Sequence, residues 1–154
     1  MSNLHMNSSR VSNVTRTRNG EQGQALIEMA IALPLLLLVT MAAVEFGRAY
    51  QHWQVLTNAA REGARMAVLP GITDANVKDR VTTYMTSGQL STPAAATITV
   101  TRNTALAAGT ASTVVVDYPF TFIVLQPVAQ LVAGGKPVGE PLTMRASAMM
   151  RNEQ

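Results

Sequence analysis

The feature that most constrains this chain is a run of sixteen residues without a charge, Met29–Val44. Glu28 bounds the run on one side and Glu45 on the other, and the wider stretch of low polarity covers Ala25–Gly47. A membrane-spanning helix needs about 20 mainly apolar residues, so the wider stretch is long enough. A charge near the bilayer centre would cost about 2.5–3.5 kcal/mol on insertion scales, and much less at the interface. The run therefore predicts one transmembrane helix, which we place at residues 24–47.

The polar residues before the run predict its orientation. Residues 1–23 contain three arginines (Arg10, Arg16 and Arg18) and one glutamate among mostly Ser, Asn, Thr and Gly, which is typical of a disordered leader. Arginines favour the cytoplasmic side, so we expect the N-terminus in the cytoplasm, although further arginines after the run weaken this asymmetry. A cleaved secretory signal peptide is the alternative. It fits less well because the leader is long and residues 44–48 are a poor cleavage site.

Composition limits the function. The 154 residues are 47% hydrophobic but only 14% charged, against about a quarter charged in an ordinary soluble domain. The absence of cysteine excludes disulfides, thiolate metal sites and thiol catalysis. The net charge of +3 is too small to indicate nucleic-acid binding. No metal-binding, phosphate-binding or nucleophile motif is present. We therefore expect no enzyme activity, cofactor, metal or small-molecule substrate.

A glycine and a glutamate mark the start of the apolar run. Gly23 ends the basic leader, and Glu28 is the fifth residue after it. This spacing resembles the type IV prepilin motif, in which a membrane peptidase cuts after the glycine. Glycine has no side chain, so the chain can approach a protease closely. Cleavage would make Gln24 the N-terminus, and Glu28 could offset the new ammonium group of a neighbouring subunit and set helix register. On this motif alone, a linker glycine beside an interfacial glutamate is an equal interpretation.

The helical pattern continues past the apolar run. We expect one helix from Gln24 to about Leu69, ended by the pair Pro70-Gly71 and kinked at Pro34. Its length would be about 69 Å at 1.5 Å per residue, more than twice a hydrocarbon core of about 30 Å. The second half must therefore pack outside the membrane. Residues at helical spacing that would face a sheet, another helix or the domain core are Leu56, Ala60, Gly63, Ala64 and Ala67.

Three ordered segments together resemble the TadE-like family. They are G-Q-A-L-I-E-M-A-I-A-L-P-L-L-L-L from Gly23, E-F-G-R at Glu45–Arg48 and L-T-N-A-A-R-E-G-A-R at Leu56–Arg65. The resemblance covers about residues 23–67, and members of the family are minor pilins or pseudopilins of the tight-adherence (Flp pilus) machinery. It implies a single-pass protein of the bacterial inner membrane with a periplasmic head. It also implies maturation by a prepilin peptidase, and other pilins and pilus platform proteins as partners.

Five charged residues of the matching segments are candidate partner contacts: Glu45, Arg48, Arg61, Glu62 and Arg65. Their spacings of three and four residues place neighbours on one helix face. They are expected to contact other subunits of the machinery or lipid headgroups. The alternative is a solvated face with ion pairs worth a few tenths of a kcal/mol each.

Residues 48–154, which begin with the rest of the long helix, predict an extracytoplasmic head. A short helix is expected from Thr73 or Asp74 to about Met85. Segments with the alternation or β-branched content of strands are residues 96–102, 113–125 and 142–150. The fold class is therefore α+β and pilin-like, with a long helix, a short helix and a small antiparallel sheet of about three strands.

The second predicted strand and the segment after it are less regular. Pro119 indicates an edge position or a bend. Residues 126–140 contain the pair Gly134-Gly135 and then Pro137, which predict a loop with one helical turn around 128–132. The apolar run 114–125 has about 12 residues, too few to span a membrane, so it is predicted to be a buried strand.

Two other functions remain open on the sequence. One is a single-pass envelope binding module that is never processed, and the other is a secreted hydrolase behind a signal peptide. The second fits least, because no catalytic group is recognisable.

Overall fold

A computed structural model of the chain describes residues 16–102, 109–134 and 141–152, with the side chains of residues 16–21 excepted. In chain order the elements are α1 (Arg16–Ala67), α2 (Asp74–Ser87), a 3-10 turn (Pro93–Ala95), β1 (Thr97–Thr101), β2 (Ala111–Phe120), α3 (Leu125–Val132) and β3 (Leu142–Arg151). This order confirms the predicted α+β class, with a long first helix and a small antiparallel sheet.

The long helix α1 differs from the predicted helix at both ends. It begins at Arg16, so residues 16–23, which we assigned to a disordered leader, are helical. Arginine, glutamate and glutamine are good helix formers, and they allow the helix to extend towards the N-terminus. Residues 1–15 of the predicted leader lie outside the described part. The helix ends at Ala67, just before Pro70, because a proline disfavours the helical conformation of the residue before it.

The chain divides into two compact units, Met1–Thr40 and Met41–Gln154. The described part of the first unit is the N-terminal portion of α1, whose large apolar side chains are exposed, as Leu36 is at 66%. The helix from Gln22 to Ala67 is long and apolar enough to cross a membrane, and its most apolar window has no residue buried by protein. An apolar helix without protein cover is what a lipid-facing segment requires.

The second unit contains one hydrophobic core, to which α1, α2 and the sheet all contribute. Four alanines of α1 are fully buried: Ala59, Ala60, Ala64 and Ala67. At Gly63 a β-carbon would lie 2.5 Å from Val81 Cγ2 of α2 and 3.2 Å from Val114 Cγ1 of β2. The first distance is shorter than real β-carbon contacts and the second is tighter than most of them, so a side chain here would force Val81 to shift. The predicted small-residue face of α1 is therefore the face that packs in the core.

The short helix α2 begins where the sequence predicted. Thr73 is its N-cap, and the Thr73 hydroxyl accepts a hydrogen bond from the Asn76 N–H at 3.3 Å. The Asn76 side chain accepts one in return from the Thr73 N–H at 3.0 Å. This reciprocal pair is a capping box, which satisfies two N–H groups that the helix itself leaves unpaired.

The sheet has the order β1-β2-β3, and both pairs of strands are antiparallel. Side chains of β2 alternate, so that Val114, Val116, Tyr118 and Phe120 are buried on one face. Pro119 lies in the central strand, yet β1 pairs with β2 only as far as Asp117. Pro119 pairs with β3 alone, so it occupies a local edge, where its missing N–H is tolerated.

The second predicted strand was too long, and the helical turn after it was too short. β2 ends at Phe120, and an eight-residue helix, α3, occupies Leu125–Val132. Pro127 lies in the first turn of α3, where the backbone N–H has no partner within the helix, so a proline is accommodated. Residues 135–140 of the predicted loop lie outside the described part.

Candidate functional site

Glu45 is nearly buried, with 5% of its surface exposed, although it stands directly after the uncharged run. Its Oε1 accepts a hydrogen bond from the Val124 N–H at 2.5 Å, and its Oε2 accepts one from the Leu125 N–H at 3.2 Å. These two N–H groups lie at the start of α3, where a helix leaves its donors unpaired and where its dipole favours a negative charge. Val124 is the N-cap and makes no capping side-chain bond among the described residues. The Glu45 carboxylate therefore caps α3 from another helix.

Arg48, one turn along α1 from Glu45, holds the segment that precedes α3. Its Nη2 donates a hydrogen bond to the Thr121 carbonyl at 2.6 Å, and its guanidinium lies 5.0 Å from the centre of the Phe120 ring. Such a contact is a cation–π interaction. Its buried Nε makes no hydrogen bond to any described residue.

His52, one further turn along α1, packs among aromatic rings. Its ring lies 5.7 Å from that of Tyr118 and 5.2 Å from that of Phe120, both edge to face. Burial lowers the pKa of His52, and the positive charge of Arg48 lowers the pKa further, so the imidazole is neutral at neutral pH. Among described residues, Nδ1 of His52 has no hydrogen-bond partner. The sequence analysis did not single out this histidine, because a lone histidine carries no motif.

A cleft of about 400 Å³ opens beside these side chains. Its polar lining includes Arg48, His52 and the Tyr118 hydroxyl, which lies 3.4 Å from the Ser91 hydroxyl and 3.3 Å from the Thr92 hydroxyl. None of the described residues that line the cleft carries a carboxylate. Within the described part of the chain, no group of three or more His, Cys, Asp or Glu side chains could hold a metal ion. The cleft thus offers one permanent cation and several hydroxyl groups.

The predicted processing residues lie in the other unit, on α1. Gln24 Nε2 donates a hydrogen bond to Glu28 Oε1 at 3.1 Å, one helical turn away. At Gly23, no heavy atom of the described part of the chain lies within 4 Å of the position that a β-carbon would take, apart from the helix's own backbone and the neighbouring residues. The glycine is exposed. The two residues predicted to flank the cut, Gly23 and Gln24, and Glu28 are therefore all on an exposed part of the helix.

A large part of α1 matches a known protein family. Residues 23–65 match the model of the TadE-like protein family. The match begins at Gly23 and ends at Arg65, so it confirms the resemblance seen in the sequence. We call residues 23–65 the TadE-like segment. No curated protein and no solved structure matches the chain.

The TadE-like segment contains all five candidate partner contacts, and the structure places them in three different settings. Glu45 and Arg48 hold α3 and the segment before it, as described above. Glu62 accepts hydrogen bonds from Arg80 of α2, from Nη2 at 2.9 Å and from Nε at 3.3 Å. Arg65 lies 3.9 Å from Glu62 with 70% of its side chain exposed, and Arg61 is also exposed. Only Arg61 and Arg65 present mainly solvent-facing side chains.

Proposed function

We propose that this protein is a membrane-anchored minor pilin or pseudopilin, required for assembly of a tight-adherence (Flp, type IV-like) pilus. The observation that carries the proposal is the match of residues 23–65 to the TadE-like family, because it joins the apolar helix to the beginning of the head. The protein spans the bacterial inner membrane once, with its N-terminus in the cytoplasm and its head in the periplasm. Its role is structural, with its helix packed among other pilins or pilus platform proteins. Its partners are these proteins and the prepilin peptidase.

The proposal includes cleavage after Gly23 by the prepilin peptidase. The open surroundings of Gly23 support it, because a protease must reach the peptide bond. The helix at residues 16–23 has to unwind for cleavage, and Gly20 and Gly23 each lower helix stability by about 0.5–1 kcal/mol relative to alanine. The cut leaves an ammonium group on Gln24 at the new helix N-terminus. Glu28 then lies in the first turns, where a carboxylate is favourable, and pairs with the ammonium of a neighbouring subunit.

The test is the intact mass and N-terminal sequence of the protein from cells with and without a prepilin peptidase. A chain that begins at Gln24 only when the peptidase is present is the expected result. The Gly23→Leu variant should stay uncut, because its side chain blocks close approach of the backbone. Gly20→Leu is the matched control and should be cut normally. A wild-type chain that keeps residues 1–23 in the presence of the peptidase would contradict processing.

A second candidate function is an unprocessed single-pass envelope binding module. The cleft beside Arg48 and His52 favours it, because a polar cavity of about 400 Å³ has the size of a small-ligand site. An unprocessed chain together with normal piliation in a deletion strain would favour this function over the first.

A further inference from the structure

The segment that contains α3 exposes apolar side chains that the function above does not use. Residues 118–135 carry no charge in the sequence. In the described part of the chain, none of the eight residues of α3 is buried. Ile123 is 66% exposed, Leu131 81% and Val132 84%. Three large aliphatic side chains exposed within ten residues of an uncharged segment are more than the single exposed apolar residues that are normal on a protein surface.

Residues 118–125 run alongside α1 in the opposite direction, as their contacts show. Tyr118 and Phe120 pack on His52, and the Thr121 carbonyl accepts a hydrogen bond from Arg48. The Phe122 ring lies 6.0 Å from the Phe46 ring. The Val124 and Leu125 N–H groups bind Glu45. As the chain advances from Tyr118 to Leu125, its partner on α1 therefore steps back from His52 to Glu45.

This order of contacts brings the start of α3 to the end of the apolar run. From His52 back to Glu45 is about 10 Å along a helix axis at 1.5 Å per residue. Glu45 is the charge that bounds the apolar run Met29–Val44. The first turn of α3 therefore lies beside the residue at which α1 is predicted to leave the hydrocarbon core. Phe46, the next residue, is 61% exposed at the same level.

We propose that α3 docks on the bilayer that α1 spans, with Phe46, Ile123, Leu131 and Val132 inserted at the boundary between headgroups and acyl chains. We call these four residues the α3 patch. The inference rests on the proposed membrane anchoring. A lipid surface is the occupant that the placement favours, because the start of α3 and Phe46 lie at the residue where the apolar run ends. Short helices with an apolar face bind membranes in this way. Because α3 carries no charge, its docking should not depend on anionic lipid.

Docking would give the head two attachments to the membrane in place of one. With α1 as the only attachment, the protein as a whole could rotate about the helix axis in the membrane. A second contact through α3, fixed to α1 by the Glu45 hydrogen bonds, would hold the head in one orientation towards the neighbouring subunits.

The test uses the lack of cysteine in the chain, which allows single-cysteine variants of the full-length protein without other changes. Spin labels are placed at Leu131→Cys and Val132→Cys in the α3 patch, at Leu37→Cys in the predicted span and at Thr99→Cys on the exposed side of β1. The protein is reconstituted in phosphatidylcholine vesicles, with and without phosphatidylglycerol. The accessibility of each label to oxygen and to a water-soluble nickel complex is then measured by electron paramagnetic resonance.

We expect the Leu131 and Val132 labels to favour oxygen over nickel, with a ratio between that of Leu37 and that of Thr99, in both lipid mixtures. Labels at Leu131 and Val132 that behave like Thr99 would overturn the inference while leaving the anchoring intact. A Leu37 label that behaves like Thr99 would overturn the anchoring itself. The measurement is repeated at a tenfold lower ratio of protein to lipid. If the oxygen-to-nickel accessibility ratio at Leu131 and Val132 is unchanged by this dilution, lipid is the occupant. A loss of oxygen preference on dilution would show that a second protein chain covers the patch.

Discussion

Replacing Glu45 with alanine is expected to release α3 from α1. The variant removes the acceptor of two backbone N–H groups, those of Val124 and Leu125, which are partly buried in the folded head. It also removes the negative charge at the N-terminus of α3. Glu45 is not part of the hydrophobic core of the head, so the effect should be local to α3 and the segment before it.

The magnitude follows from the hydrogen bonds that are lost. A hydrogen bond to a charged group contributes about 1.5–3 kcal/mol, and an N-terminal cap about 0.5–2 kcal/mol. Removing a nearly buried carboxylate also relieves its desolvation, which acts in the opposite direction. We therefore expect the free energy of opening α3 to fall by about 2 kcal/mol.

Hydrogen exchange measures this opening directly. A loss of about 2 kcal/mol corresponds to roughly 30-fold faster exchange of the protected amides, since each 1.4 kcal/mol is a factor of ten. Exchange of the Val124 and Leu125 amides is followed at residue resolution in the full-length protein in detergent micelles. Glu45→Gln keeps one acceptor oxygen and loses the charge, so its effect should lie between those of the wild type and the alanine variant.

The matched control is Glu62→Ala, which removes another glutamate of the TadE-like segment. Glu62 pairs with Arg80, whose side chain is 49% exposed, so this loss should be below about 1 kcal/mol and should not change exchange in α3. Unchanged exchange at Val124 and Leu125 in Glu45→Ala would refute the proposed capping. Equal acceleration by Glu62→Ala would refute its locality.

Three further predictions follow from the same structure. Gly63→Ala should lower the melting temperature, measured by circular dichroism. Overpacking against Val81 costs about 1–3 kcal/mol, which outweighs the roughly 1 kcal/mol gained in helix propensity. Gly47→Ala is the control, because a β-carbon there has no such contact among described atoms and should not destabilise the protein. The hydrogen bond from Arg145 holds the pKa of Asp117 below its ordinary value. The pair therefore adds stability above the ordinary pKa of about 3.9, and this stability is lost as the pH falls through the lowered value. Urea unfolding from pH 2 to 6 should show this loss, and Asp117→Asn should weaken it; an identical pH profile in the variant would refute the role of the pair. Glu28→Ala should leave membrane insertion intact and reduce piliation, counted by electron microscopy, whereas Glu21→Ala in the predicted leader should not; normal piliation of Glu28→Ala would remove the proposed role of Glu28.

Local signals in the sequence predicted the start of α2 and the end of α1 better than they predicted what these helices pack against. The threonine before α2 and the Pro70-Gly71 pair after α1 act through the backbone of adjacent residues, so their effects could be predicted from spacing. The small residues of α1 were predicted to face a close neighbour. Which neighbours these are, Val81 and Val114, depends on the packing of α2 and β2, which spacing does not show.

The charged residues of the TadE-like segment were the hardest to interpret from sequence. Glu45 and Arg48 were predicted to contact other subunits or lipid headgroups, with a weak ion pair on a solvated helix face as the alternative. In the structure their bonds go instead to Val124, Leu125 and Thr121, more than seventy residues away along the chain. α3 was underestimated for the same reason, because its cap is supplied by a residue from a distant element.

By itself the sequence determined the apolar helix, the class of fold and the resemblance to the TadE-like family, because periodicity, composition and ordered motifs act over short distances in the chain. Only the tertiary structure decided what the charges at the end of the apolar run do and where the exposed face of α3 lies. Those properties depend on which elements meet, and that depends on the shape of the whole core. The sequence shows where a carboxyl group stands in the chain, but whether it contacts solvent, a lipid headgroup or the start of another helix is decided by what folds against it.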